Sequence, residues 1–242
     1  FTPEEYYLTL QKCLDIASVI TKQSAIMNQT GPEKTIGLMV DEWGTWWDEE
    51  PGTIPGHLYQ QNTLRDAMVA ALSLNVFHKH ADRVKMANIA QVVNVLQSMI
   101  LTDTKGNGHM VLTPTYYVFK MYKPFQNATS LPSDVQCSSH TFEKGLPIAN
   151  LQSSSAKTTD GTIIVSLANI DLQKGQEVAL ALDGYNANSV CGEILTAKNI
   201  TDYNDFNHTE TIKSENFTGA KIKKNQIMVK IPAKSIVVLK IK

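Results

Sequence analysis

Cysteine is scarce in this chain: three residues in 242, at Cys13, Cys137 and Cys191. That number allows at most one disulfide. The wide spacing contains no CxxC pair and no metal-ligand pattern, so buried free thiols are expected. Excess charge is also missing. The formal net charge is −1, which leaves no field to gather phosphates, and no nucleic-acid partner is expected. No apolar run reaches the roughly 18 residues of a membrane span, so no membrane partner is expected either. No Gly-rich phosphate loop and no Ser-His-Asp order stands out, and no cofactor is implied. The chain opens on Phe1 rather than Met, which reads as a processed or truncated product; the lack of a leader therefore says nothing about compartment. What is present is ordinary for a globular chain: 43% hydrophobic and 19% charged residues, enough for one large or two modest domains.

The chain starts with a helix signal. Thr2-Pro3-Glu4-Glu5 offers a capping hydroxyl, a proline at the first helical position and a Glu three residues after the cap. Tyr6, Leu10, Cys13, Ala17 and Ile20 follow at helical spacing. Gly31-Pro32 marks a loop. Ile36–Val40 is a short apolar run that ends in Asp41-Glu42 and suits a strand buried on both faces of a parallel sheet. Pro51, Gly52, Pro55 and Gly56 place a long loop after it. Residues 60–77 read as a buried helix, 82–90 as a second strand continued in β-branched style over 92–101, Gly106-Asn107-Gly108 as a turn, and 114–123 as a helix capped by Thr113.

After Pro124 helical periodicity disappears. Asp160-Gly161 signals a hairpin, and 162–169, 177–183, 226–231 and 235–241 read as strands. Short strands at this spacing predict an antiparallel sandwich. The fold class is thus α/β followed by all-β, with the boundary near 124–132, drawn here as domains 1–127 and 128–242.

One segment carries chemistry. The apolar run ends in two adjacent carboxylates, and all three tryptophans follow, at Trp43, Trp46 and Trp47. Strand C-terminal ends carry the ligand site in βα architectures. A carboxylate there, walled by indoles, suits sugar chemistry, because indole faces stack on sugar C–H faces and a low-dielectric wall strengthens the carboxylate's action on an oxocarbenium-like transition state. Side chains alternate along a strand, so only one of Asp41 and Glu42 faces a given cavity. A strand-end carboxylate held by an arginine or by backbone N–H groups fits the same spacing, and the residues alone leave both readings open.

The segment Val40-Asp41-Glu42-Trp43-Gly44-Thr45-Trp46 resembles the nucleophile motif of α-L-arabinofuranosidases of glycoside hydrolase family 51. The similarity continues through His80-Ala81-Asp82-Arg83-Val84-Lys85-Met86-Ala87-Asn88-Ile89-Ala90-Gln91-Val92-Val93-Asn94-Val95 and into Ile231-Pro232-Ala233-Lys234-Ser235-Ile236-Val237-Val238-Leu239. The resemblance implies that Glu42 is the nucleophile of a retaining mechanism, that Gln91 lies in the sugar pocket, and that Trp46 lines the subsite. It implies the C-terminal part of a (β/α)8 TIM barrel followed by a jelly-roll-like β-sandwich, acting on terminal arabinofuranosyl groups of arabinan or arabinoxylan. The family's general acid/base sits in an Asn-Glu pair on an earlier barrel strand, and no Asn-Glu precedes Glu42 here. The expected partners are an arabinose-containing polysaccharide or oligosaccharide and, because a partial barrel exposes strand edges, either a missing N-terminal fragment or further copies of the same chain in a homo-oligomer.

Other features are weighed against this. His78 and His80 form an H-x-H pair, but they sit at a helix end and two ligands do not make a zinc site, so no metal is expected. Trp43 and Trp47 suit core packing. Asp82 and Arg83 suit a buried pair. The Lys-rich stretch 221–242 is a solvated strand face. The alternative to an enzyme fragment is a non-catalytic glycan-binding or interaction module built on the sandwich half, which contains no tryptophan.

Overall fold

A computed structural model of the chain describes residues 1–30, 35–103, 106–142, 146–224 and 226–242; the expected Gly31-Pro32 loop lies outside them. The architecture is mixed α/β and rich in sheet. Helix α1 (Pro3–Leu14) opens with a full capping box: Thr2 Oγ1 accepts from the Glu5 amide at 3.2 Å, and Glu5 Oε2 accepts from the Thr2 amide at 2.7 Å. The periodicity through Ile20 reads as one helix, but the chain turns at Asp15 and restarts as α2 (Ile16–Thr30), most of which is exposed.

Strand β1 (Leu38–Trp43) leads through a long loop to α3 (Leu64–Lys79), and β2 (Val84–Ile89) follows. β1 and β2 pair in parallel. The expected burial on both faces does not hold for β1: Met39, Asp41 and Glu42 are exposed, because β2 is the strand's one neighbour among the described residues. Helix α3 is the centre of the molecule, with 13 of its 16 residues buried. It packs on α1 and on α4 (Pro114–Tyr122). The stretch 92–101 is not the expected strand continuation. It is largely irregular, and pairing resumes only in the short hairpin β3 (Ile100–Thr102) and β4 (Met110–Leu112), joined across Gly106 and Gly108, both at positive φ. Thr113 stands at the N-cap of α4, yet its hydroxyl donates to Ser98 O at 2.8 Å instead of capping the helix. Arg83 is buried and donates to Ile36 O at 2.9 Å; Asp82 beside it is exposed, so burial is confined to the arginine.

Beyond a 3-10 turn at Lys123–Phe125 the elements are strands: β5 (Thr129–Leu131), β6 (Ser139–His140), β7 (Ile148–Ala149), β8 (Leu151–Lys157), β9 (Ile163–Asn169), β10 (Gln176–Ala181), β11 (Val190–Thr196), β12 (Glu215–Asn216), β13 (Ala220–Lys223), β14 (Gln226–Ile231) and β15 (Ser235–Ile241). A six-stranded antiparallel sheet runs β12-β11-β15-β9-β8-β5, and a three-stranded one runs β10-β14-β13. Asp160-Gly161 turns the β8–β9 hairpin as its sequence predicts. Alternation on β9 and β15 explains the layering. Ile164, Ala168, Ile236 and Val238 join the core with the helices, whereas Ile163, Val165, Leu167, Val237 and Leu239 pack with Ile227 and Val229 of β14. The large sheet thus lies between the helices and the small sheet, and each fully buried Leu, Ile or Val contributes about 1.5–3 kcal/mol.

The end of α3 is pinned to this sheet by polar contacts. Ser154 Oγ and Tyr122 OH donate to Asn75 Oδ1 at 2.8 and 3.1 Å, and His78 Nδ1 lies 2.9 Å from Ser154 Oγ. The His78 ring stacks on Tyr122 and Phe125. Burial there pushes its pKa down from 6.5 to about 4. The depressed folded-state value means that the unfolded chain binds the proton more readily. The neutral ring's contribution is full above about pH 6.5 and is lost as pH falls toward 4. Urea midpoints should therefore drop between pH 6.5 and 4 by the equivalent of about 2 kcal/mol, and His78→Phe should flatten that part of the curve. An unchanged slope in the variant would refute the assignment.

The three thiols are free, as expected, but not buried: Cys13 and Cys137 are partly covered and Cys191 is exposed. Among the described residues no three His, Cys, Asp or Glu side chains gather in a way that could hold a metal.

Candidate active site

The end of β1 is shaped by a change of register. Val40 pairs with Ala87 and Trp43 with Ile89, so three steps on β1 oppose two on β2. The extra residue falls at Asp41-Glu42 and interrupts the strict alternation that the sequence suggests. Such bulges re-aim side chains next to sites. Both carboxylates are exposed, but only Glu42 lines a cavity of about 790 Å³ between the strand end and α1. Among the described residues neither carboxylate has a hydrogen-bond or ion-pair partner.

The tryptophans divide as their surroundings dictate. Trp43 is buried, edge-on to Phe77 at 5.3 Å and stacked on Phe119 at 6.1 Å. Gly44 sits at φ +140°, and a Cβ there would come within 3.3 Å of Gln97 Oε1. Glycine lets the chain leave the strand at this point without strain. Thr45 Oγ1 and Trp47 Nε1 then donate to Asp66 Oδ1 at 2.8 and 2.7 Å, and the Arg65 guanidinium lies 3.7 Å from the Trp47 ring centroid. The Trp47 amide donates to Gln60 Oε1 at 2.9 Å. With its neighbours pinned, Trp46 is turned outward, 67% exposed, beside Glu42 on the same cavity.

Gln91 is exposed at the end of β2, where the Ala90 amide donates to Trp43 O at 2.9 Å. Glu42 and Gln91 therefore stand at the ends of adjacent parallel strands, although Gln91 does not line the cavity. A second carboxylate, Glu5 of α1, does line it. It is unsuited to general-acid work: the hydrogen bonds from the Thr2 amide and hydroxyl hold its pKa below the ordinary value, whereas a general acid needs a raised one.

Asp66, Gln60 and Gln97 escaped notice in the sequence. Thr63-x-x-Asp66 is a capping-box pattern that could have flagged Asp66, and the box forms, with Thr63 N donating to Asp66 Oδ2 at 2.7 Å. Nothing local marks Gln60 or Gln97.

A solved family 51 arabinofuranosidase from Xanthomonas axonopodis pv. citri superposes with a TM-score of 0.95 at 43% identity, over 100% of this chain and 48% of that one. Residues 41–235 match the α-L-arabinofuranosidase C-terminal domain, and the chain belongs to that family. An intracellular exo-α-L-arabinofuranosidase of Bacteroides ovatus is 53% identical over 241 residues, which is 100% of this chain and 46% of the relative. A family 51 α-L-arabinofuranosidase from Bifidobacterium longum shares the fold at 20% identity, with a TM-score of 0.81 over 96% of this chain and 48% of that one. The chain spans about half the length of these relatives.

Proposed function

We propose that this chain supplies the nucleophile side of a retaining, exo-acting α-L-arabinofuranosidase. The observation that carries the reading is Glu42: a carboxylate with no partner among the described residues, at a parallel strand end, beside an outward indole, on an open cavity. In the finer reading residues 1–127 are the last part of a (β/α)8 barrel and 128–242 a β-sandwich. The parallel β1–α3–β2 unit and the two facing antiparallel sheets support it. Trp46 stacks on the substrate and Gln91 hydrogen-bonds the sugar from the neighbouring strand end. The substrate is a terminal arabinofuranosyl group on a polysaccharide or oligosaccharide.

In the first step a Glu42 carboxylate oxygen attacks the anomeric carbon. The bond from that carbon to the leaving oxygen breaks, and the leaving oxygen takes a proton from a carboxylic acid on an earlier barrel strand, outside this chain. Water then displaces Glu42, giving up its proton to the same group. The two carboxyl groups of such a pair stand about 5–5.5 Å apart. A glycan-binding reading of the strand-rich half gains no support, since all three tryptophans lie at 43–47.

The test is stereochemical. Proton NMR of the full-length enzyme's first product should show arabinose with its anomeric configuration retained, and this chain alone should give no turnover on an aryl arabinofuranoside. Initial inversion, or steady turnover by the chain alone, would overturn the proposal.

A further inference from the structure

The residue that ties the two candidate strand ends together is neither Glu42 nor Gln91. Gln97 is fully buried in the irregular segment after β2. Its backbone amide donates to Ala90 O at 3.0 Å, immediately before Gln91. Its side-chain Oε1 accepts from the Thr45 amide at 2.9 Å, three residues after Glu42. Its Nε2 donates to Asp66 O at 2.6 Å and to Thr115 Oγ1 at 3.2 Å. One residue thus bridges the exit of β2, through its backbone amide, to the exit of β1 and the starts of α3 and α4, through its side chain.

This is an unusual use of a glutamine. Both polar ends of its amide are satisfied inside the protein, and a buried polar group is retained at low cost only when it is fully hydrogen-bonded. The main chain of β1 and β2 fixes the strands against each other only as far as the Trp43–Ala90 bond. Beyond it Gly44 has left the strand, and the Thr45 amide has Gln97 as its partner. The loop that bears Trp46 is therefore referenced to the Gln91 strand end through Gln97.

We propose that Gln97 is a positioning residue for the reaction: it sets the spacing of Glu42 and Trp46 relative to Gln91 without touching the sugar. Misplacing catalytic groups by about 1 Å can cost on the order of 100-fold in rate. The inference rests on the reading of Glu42 as nucleophile.

The experiment compares Gln97→Met and Gln97→Glu in the full-length enzyme. Rates are expressed per active site, counted with a mechanism-based arabinofuranosyl inactivator, so that unfolded molecules do not enter. Methionine keeps the length and removes all three side-chain hydrogen bonds while leaving the backbone bond to Ala90; its kcat/KM should fall by about 100-fold, at the cost of geometry rather than occupancy. Glutamate keeps the acceptor for Thr45. While protonated it should also keep the donor, so this variant should stay within a few-fold of the parent at low pH. It should then lose rate as pH rises and the new carboxylate ionises opposite Asp66 O, adding an alkaline limb that the parent lacks. A Gln97→Met rate per active site within threefold of the parent overturns the proposal. If that variant does not fold, a Gln97→Glu pH profile superimposable on the parent's overturns it. Glu42→Ala serves as the control: if that variant keeps parental activity, the nucleophile reading fails, whatever Gln97 does. If it is inactive while Gln97→Met is normal, only the positioning role fails.

Discussion

Glu42→Ala in the full-length enzyme is expected to lower kcat/KM by roughly 10⁴-fold or more, about 5.5 kcal/mol of lost transition-state stabilisation. The loss should be largest for a nucleophile, because no other group can take over bond formation at the anomeric carbon. Glu5 is held in the capping box of α1. Asp41 is absent from the lining of the cavity. Added azide or formate should restore part of the cleavage by entering the space of the missing carboxylate. Azide should yield a glycosyl azide of inverted configuration, since it attacks from the face that Glu42 occupied. Near-parental activity in the variant, or a dead variant that gives no glycosyl azide at any concentration, would remove Glu42 from the nucleophile role.

Asp66→Ala should be the most destabilising polar substitution around the site, with a loss of about 3–5 kcal/mol in urea unfolding. Asp66 is fully buried, and both of its oxygens are used twice: Oδ1 by Thr45 and Trp47, Oδ2 by the amide and hydroxyl of Thr63 at 2.7 and 3.1 Å. Removing it deletes a capping box, worth roughly 0.5–2 kcal/mol. It also leaves the buried Thr45 hydroxyl and the part-buried Trp47 indole N–H without their acceptor, at about 1–3 kcal/mol each, the lower end applying to Trp47. Part of that cost will relax as the loop loosens, so the sum is an upper bound. Asp66→Asn should cost less, because one acceptor oxygen remains. A change below about 1 kcal/mol for the alanine variant would mean that water replaces the carboxylate, and the loop would then owe its position to Gln60 and Gln97.

Much of the chain's layout is legible in its residues, for local reasons. Thr2-Pro3-Glu4-Glu5 caps a helix because the groups that satisfy the first amides are within three residues. Asp160-Gly161 turns a hairpin because the turn needs a residue tolerant of positive φ, and Gly161 stands at +87°. β8 escapes such reasoning. Its Ser153-Ser154-Ser155 run looks like a loop, yet it is buried because Ser154 meets Asn75, which lies 79 positions earlier in the chain. The stretch 92–101 misleads in the opposite sense. Its β-branched residues promise a strand, but the chain folds back so that Gln97 can reach Ala90 and Thr45. At the site, spacing singles out 41–42 without choosing between the two carboxylates. The bulge that sets their directions depends on pairing with β2, which no local pattern encodes.

Helix α3 is anchored by polar contacts at both ends. Its first turn holds the Trp46 loop through Asp66, and its last turn is fastened to the large sheet through Asn75 and His78. The distance from Asp66 to His78 along the axis is about 18 Å. Because the helix is buried along nearly its whole length, it behaves as a strut. Side chains on the helix-facing side of β9 and β15 are thereby drawn into the upkeep of a site they never approach. Sequence drift there should be slower than on the opposite side of the same strands, and substitutions tolerated by the sheet itself could still surface as poorer catalysis.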